Sequence, residues 1–237
     1  MKKACVLSSG GMDSFLLWKL FAPEARQVFV NIRQPYIVKE LDAMWAIRKF
    51  TGADFDVLEA TRIGEGEAPN GIILHRNALL ILTAATYYSE ILMGVLADEI
   101  NSDKSPEFFS AMETVLNISH RGQYWNNGVG VEYTVHSPIR SYTKSALVAK
   151  YMAAGHAVEP LLATVSCYSA MSGQCGACPS CFKRWVALVN NGIQQKFKSD
   201  PLLWAHSQGI IKKATDGTYG KARAQEIMNA VNRGAGW

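Results

Sequence analysis

Ser8, Ser9, Gly10, Gly11, Met12, Asp13 and Ser14 stand directly behind the apolar run Ala4-Cys5-Val6-Leu7. An apolar run of that length reads as a buried strand, and two glycines after it let the backbone turn tightly enough to aim successive N–H groups at one point. A helix beginning near Asp13 or Ser14 adds its own unpaired N–H groups and the positive end of its dipole. Such a cradle binds an anion without a lysine. The hydroxyls of Ser8, Ser9 and Ser14 can donate to phosphate oxygens, and Asp13 stands where its carboxylate could share Mg2+ with a polyphosphate. The pattern ending in Gly-Lys-Ser/Thr is absent, and ATP is the expected ligand. The plainer reading is a glycine turn whose serine or aspartate caps a helix.

The second chemical group is a set of thiols. Of five cysteines, Cys5 sits alone in the first apolar run and reads as a core residue, whereas Cys167, Cys175, Cys178 and Cys181 fall within fifteen positions. The spacing C-x7-C-x2-C-x2-C can surround one tetrahedral ion, with Gly176 allowing the turn between two ligands, and zinc is the expected occupant. Four thiolates can also hold an iron–sulfur cluster, and Cys175-Gly-Ala-Cys178 could act as an exchange pair. An odd cysteine total and such close spacing argue against a disulfide framework.

The elements that must position these groups alternate in type. With 237 residues and 49% hydrophobic content, the chain can bury a large core. Strands are expected at 4–7, 28–32, 55–58, 91–96 and 131–136, and helices at 14–21, 38–50, 77–90, 106–118 and 143–154. This is an α/β order, a five-stranded parallel sheet sandwiched by helices. The turn-rich stretch 64–71 suits a mobile loop beside a ligand. After Met1-Lys2-Lys3 the apolar run is too short for a signal segment, and no run approaches a membrane span, so a soluble cytoplasmic protein is expected. A formal charge of +4 suits anionic ligands without arguing for nucleic acid.

Two further groups fit a nucleotide. His75-Arg76-Asn77 opens a helix, where Asn77 could cap and Arg76 could aim a planar guanidinium at phosphate. Lys144 would lie in the first turn of the helix after the fifth strand, where it opposes the helix dipole, unless it is simply solvated.

The Ser-Gly-Gly-x-Asp-Ser order resembles the N-type ATP pyrophosphatases. Together with Arg76-Asn77, Pro138-Ile139-x4-Lys144, Ser166-Cys167-Tyr168 and Cys175-Gly176-x-Cys178-x-x-Cys181, the chain resembles the 7-cyano-7-deazaguanine synthase family, known as QueC, from about residue 3 to Ile193. The resemblance implies a homodimeric HUP-type fold, similar to adenine nucleotide alpha hydrolases. It implies an ATP pyrophosphatase domain over 1–160 and a zinc-binding helical region over 161–199 with a structural zinc on the four cysteines; residues 200–237 lie beyond the usual family end and are expected to form a helical extension. It further implies adenylation of 7-carboxy-7-deazaguanine, amidation with ammonia and dehydration to the nitrile, with Asp13, Arg76 and Lys144 catalytic.

The family's Gly-Tyr-Pro-Asp-Cys-Arg segment is not kept. The region reads Asp98-Glu99-Ile100-Asn101-Ser102-Asp103-Lys104-Ser105-Pro106-Glu107-Phe108, in which Asp98, Asp103 and Glu107 are the expected substrate-binding residues. The second strand ends in Asn31-Ile32-Arg33-Gln34 where the family has Asp-Tyr-Gly-Gln. These departures leave room for an enzyme that stops at the amide or passes the activated acid to another amine, including one on a protein. A tRNA-thiolating pyrophosphatase would need a basic RNA-binding domain, which is not evident. A silent nucleotide-binding module would not need Ser9, Asp13 and Ser14 intact. In the extension, Lys212, Lys213, Lys221 and Arg223 with Ile227, Met228 and Val231 read as a basic amphipathic helix that packs on the core or meets a partner.

Overall fold

The computed structural model describes residues 3–69, 71–97, 99, 102–169 and 172–234. Five parallel strands, β1 (Ala4–Leu7), β2 (Arg26–Asn31), β3 (Phe55–Glu59), β4 (Glu90–Leu92) and β5 (Thr134–His136), form one sheet in the order β3-β2-β1-β4-β5. The central strand β1 sets Cys5 opposite Arg26 on one side and Ile91 on the other. The chain winds outward from β1 in one direction and then the other, so a crevice opens beyond the carboxyl ends of the strands at that reversal.

Alternation along each strand fills both faces of the sheet. Val6 and Leu92 point to one face, under α1 (Met12–Phe21), α5 (Lys144–Ala153) and α7 (Pro179–Asn190), with Phe15, Leu16, Leu147, Tyr151 and Leu188 in the same cluster. Cys5, Leu7 and Ile91 point to the other, under α3 (Arg76–Ala85) and α4 (Pro106–Ser119). The α/β fold class is as expected from the sequence.

Several bounds differ, each for a local reason. Gly11 takes an extended conformation and caps α1, so the helix begins at Met12. Asn77 does not cap α3: His75, at φ 57, precedes the helix, and Asn77 is buried within it. The helix expected over 77–90 stops at Ala85, because Glu90–Leu92 is taken up by ladders to β1 and β5. The stretch around Gly64 forms a single 3-10 turn anchored by Gly64 N–H donating to the Ile32 carbonyl at 2.8 Å, against which a Cβ at Gly64 would collide.

Between α2 (Ile37–Thr51) and α7 runs the short α6 (Val158–Ala163). The extension is not one helix but three, α8 (Pro201–Ser207), α9 (Ile210–Thr215) and α10 (Lys221–Gly234). Ala205, Ala214, Ile227 and Ala230 bury against Phe182, Val186 and Val189 of α7. Lys212 and Lys213 lie on α9 and not on the amphipathic α10. Among the described residues, no helix is long and apolar enough to cross a membrane.

Candidate functional site

At the crevice, Gly10 adopts φ +70, and a Cβ there would lie 2.7 Å from the Ala43 Cβ and 2.9 Å from the Glu40 carbonyl oxygen. Only glycine meets both conditions. Behind the turn, Val165 N–H donates to the Gly10 carbonyl at 2.7 Å, joining the cradle to the segment that leads into Cys167. Gly94, just past β4, lets that strand's exit approach Asp13 and Ser14 closely: a Cβ there would lie 3.2 Å from the Asp13 carbonyl carbon and the Ser14 nitrogen. Ser8, Ser9, Gly11, Met12, Asp13 and Ser14 line a cavity of about 300 Å³, and Gly10 shapes it from behind. Ser14 Oγ donates to the Gly11 carbonyl at 3.1 Å, and buried Ser8 Oγ donates to Gln27 at 3.4 Å.

Arg76, Asn77 and Lys144 line the same cavity. Lys144 Nζ donates to Asp13 Oδ2 at 2.9 Å, while Asp13 Oδ1 is buried without a partner. An orphaned carboxylate oxygen beside a phosphate-type cradle fits a divalent cation or its water shell. Burial works against the Lys144 ammonium, yet Asp13 and Glu99 beside it keep its pKa above the usual lysine value. Glu99 accepts from Lys104 at 3.0 Å and Lys183 at 3.1 Å. Burial alone would raise Glu99, but Lys104, Lys183 and Lys144 together hold it down to about 2.

A second buried carboxyl behaves oppositely. Glu40 on α2 accepts from Gln34 Nε2, and burial pushes it up to about 7 against that bond and the field of Arg76. Gln34, Tyr36 and Glu40 all face the cavity.

The four cysteine sulfurs Cys167, Cys175, Cys178 and Cys181 lie within 4.8 Å of one another, and Cys175 and Cys181 are 3.8 Å apart. Four sulfurs about 2.3 Å from one ion sit about 3.8 Å apart at the corners of a tetrahedron, so the set can hold a single metal ion and is compatible with zinc. An iron–sulfur cage spreads its thiolates wider. Backbone N–H groups of Ser169, Ala177 and Cys181 donate to the sulfurs of Cys167, Cys175 and Cys178 at 3.3–3.4 Å, as thiolate ligands require. The thiol of Cys181, donating to Cys178, draws Cys178 down to about 5 while its own pKa rises. Gly176, at φ +78, makes the hairpin, and a Cβ there would overlap the Ser199 carbonyl.

A family model described as "Queuosine biosynthesis protein QueC" matches residues 30–192, over half of the chain. The chain belongs to the QueC family. The match begins downstream of the glycine cradle, so the cradle is an independent observation. A protein of Stenotrophomonas maltophilia named 7-cyano-7-deazaguanine synthase is 29% identical over 239 residues, covering 86% of this chain and 100% of that protein. A protein of the same name from Citrifermentans bemidjiense is 28% identical over 231 residues, covering 85% and 99%. Another from the archaeon Thermoplasma volcanium is 24% identical over 241 residues, covering 89% and 96%.

Within this QueC chain the expected substrate residues separate. Asp98 lies outside the described residues. Asp103 is not among the cavity-lining residues; its carbonyl accepts from Asn77 Nδ2 at 3.3 Å. Glu107 is exposed in the first turn of α4, where it complements the helix dipole, and does not reach the cavity. Glu99 and Lys104 from the same stretch do reach it. Lys183 and the fully buried Arg184 also went unread in the sequence, since nothing in a helix reading of α7 separates an inward cation from a solvated one. A cue existed for Lys183: it follows the last cysteine by two positions, so any ion holding Cys181 fixes it too.

Proposed function

We propose that the chain is an ATP-dependent, AMP- and pyrophosphate-forming ligase of the 7-cyano-7-deazaguanine synthase type, acting on 7-carboxy-7-deazaguanine and ammonia. The observation that carries this reading is the unpaired Asp13 oxygen beside the glycine cradle, in a cavity shared with Arg76 and Lys144. A carboxylate is a poor acylating agent because its leaving group would be oxide. Its oxygen attacks the α-phosphorus of ATP, pyrophosphate departs, and a mixed anhydride forms. Ammonia then attacks the acyl carbon, loses a proton and expels AMP, leaving the amide. The amide oxygen attacks the α-phosphorus of a second ATP, a second pyrophosphate departs, and loss of both protons from nitrogen with expulsion of AMP gives the nitrile.

In this scheme Ser9, Gly10, Gly11 and Ser14 hold the departing pyrophosphate, and Arg76 and Lys144 offset the charge that grows during transfer. Asp13 orients Lys144 with one oxygen and would hold Mg2+ with the other. Mg2+, when bound, would supply charge neutralisation on the phosphates. The four cysteines would hold a structural zinc that fixes Tyr168 and Lys183 against the cavity. No side-chain nucleophile is needed. The convergence of four thiols on one point, with Cys5 buried, speaks against sulfur transfer.

A second reading has its own support: Glu99 and Lys104 reach the cavity where the family carries Gly-Tyr-Pro-Asp-Cys. On that reading the enzyme stops at the amide or transfers the acid to another amine, such as a protein. One incubation decides among these outcomes: protein, ATP, Mg2+, ammonia and 7-carboxy-7-deazaguanine, followed by pyrophosphate release and product mass. Nitrile is the expected product. An accumulating amide or adenylate selects the second reading, and no acid-dependent pyrophosphate release refutes both.

A further inference from the structure

Gln34 and Glu40 are buried polar side chains with no assigned task. Gln34 donates its amide N–H to Glu40, which turns its carbonyl oxygen the other way. That oxygen, in a residue only 5% exposed, is buried without a partner at the wall of the cavity. A buried acceptor left unpaired is costly, and a ligand donor would remove that cost. Beside it lies the Glu40 carboxyl, 7% exposed, whose pKa burial raises against the opposing pull of the Gln34 hydrogen bond and the field of Arg76.

Glu40 and Tyr36 are one helical turn apart, since Glu40 N–H donates to the Tyr36 carbonyl at 3.1 Å, so they share a face of α2. The Tyr36 ring meets the Tyr168 ring at 5.0 Å, and Tyr168, next to the metal-type ligand Cys167, is 57% exposed and also lines the cavity. Lys39 Nζ donates to the Ser169 carbonyl at 3.1 Å and pins this loop to α2. Two adjacent acceptors and an available aromatic face therefore converge on one wall.

We propose that Gln34 and Glu40 read the donor edge of a guanine-type base, accepting from its N1–H and 2-amino groups while the ring lies against Tyr168. This rests on the deazaguanine acid being the substrate and names what recognises it. A guanine-type edge presents two neighbouring donors. Adenine presents one donor beside a lone pair, which would face an acceptor oxygen here. Ribose hydroxyls would use Glu40 but leave the aromatic face and the Gln34 oxygen without a purpose.

The test is calorimetric binding of 7-carboxy-7-deazaguanine, its analogue lacking the 2-amino group, and ATP, each alone, to the full-length protein and to Glu40→Gln and Gln34→Met. Two variants are used so that one poorly folded protein does not decide the matter, and retained ATP binding shows that a variant is folded. The wild type is expected to prefer the complete base over the 2-deamino analogue by about 10- to 100-fold. Both variants are expected to lose most of that preference, with ATP affinity held within about threefold. Unchanged preference in the variants overturns the proposal and leaves the ligase reading standing. A fall in ATP affinity alone overturns it in favour of adenosine. No wild-type binding of either base overturns both.

Discussion

Replacing Arg184 with methionine tests how α6, the cysteine loop and α7 are joined. Arg184 is fully buried. It donates to Gln195 Oε1 at 2.5 Å, Thr164 Oγ1 at 2.7 Å and the Leu161 and Leu162 carbonyls at 3.2 Å each. Burial lowers its pKa to about 10, and the charges that favour its ionised form are Cys181 and Asp13. Four thiolates around a divalent ion would carry a net charge of −2, which the guanidinium would partly offset. At about 1 kcal/mol net per hydrogen bond, the Arg184→Met variant forfeits about 4 kcal/mol. Keeping the charge buried costs about 3 kcal/mol, from a pKa brought down from 12.5 to about 10, and methionine recovers that.

The abandoned acceptors then matter. The Leu161 carbonyl keeps Thr164 Oγ1 as a donor and the Leu162 carbonyl keeps Gln195 Nε2, which leaves Gln195 Oε1 unpaired at about 1–3 kcal/mol. The sum is a destabilisation of about 3 kcal/mol, or a melting temperature lower by about 6–12 °C for a chain of this size. Loss of the balancing charge should also weaken metal binding about 10-fold or more. Differential scanning calorimetry and competition with a chromophoric chelator measure the two effects. A melting temperature within about 2 °C of wild type, with unchanged metal affinity, would refute the reasoning.

Three other expectations can be measured directly. Because the folded pKa of Glu40 is raised from 4.5 to about 7, its contribution to stability is fully present below pH 4.5 and is lost as pH rises through 7. Glu40→Gln should therefore match wild type near pH 5 and exceed it by up to about 3 kcal/mol at pH 8, as read by urea denaturation; a wild-type-like pH slope in the variant would discard this. Asp13→Asn should lower acid-dependent pyrophosphate release by about 10³-fold with little change in circular dichroism, and normal turnover would remove the cradle from the chemistry. Metal analysis should find one ion per chain, lost with Cys178→Ala together with thermal stability, whereas an unchanged metal content would relocate the ion.

Much of the fold was legible because its signals are local. Ala4–Leu7 is apolar throughout, which suits a central strand covered on both faces, and Gly10 and Gly11 behind it need no partner to show a tight turn. Strand bounds were less legible. Residues 93–96 are as apolar as β4, yet the Met93 N–H goes to His136 and the Val95 N–H to the Ser137 hydroxyl, and only the arrangement of neighbouring chains decides where a ladder stops. The extension misled for a related reason: α9 and α10 bury separate small residues against α7, and a single amphipathic stripe does not register that break.

The sequence by itself determined the chemistry whose parts are neighbours in the chain: the glycine cradle with Asp13 and Ser14, and four cysteines whose spacing forms a single hairpin around one point. Tertiary structure alone decided the surroundings of Gln34, Glu40, Glu99, Lys183 and Arg184. The chemistry of such residues depends on what excludes water from them and on which opposite charge stands within a few ångströms. Glu99 and Lys183 are 84 positions apart. The carboxyls of Glu40 and Glu99, identical as letters, are driven in opposite directions, because burial outweighs the single arginine near Glu40 while three lysines outweigh burial at Glu99.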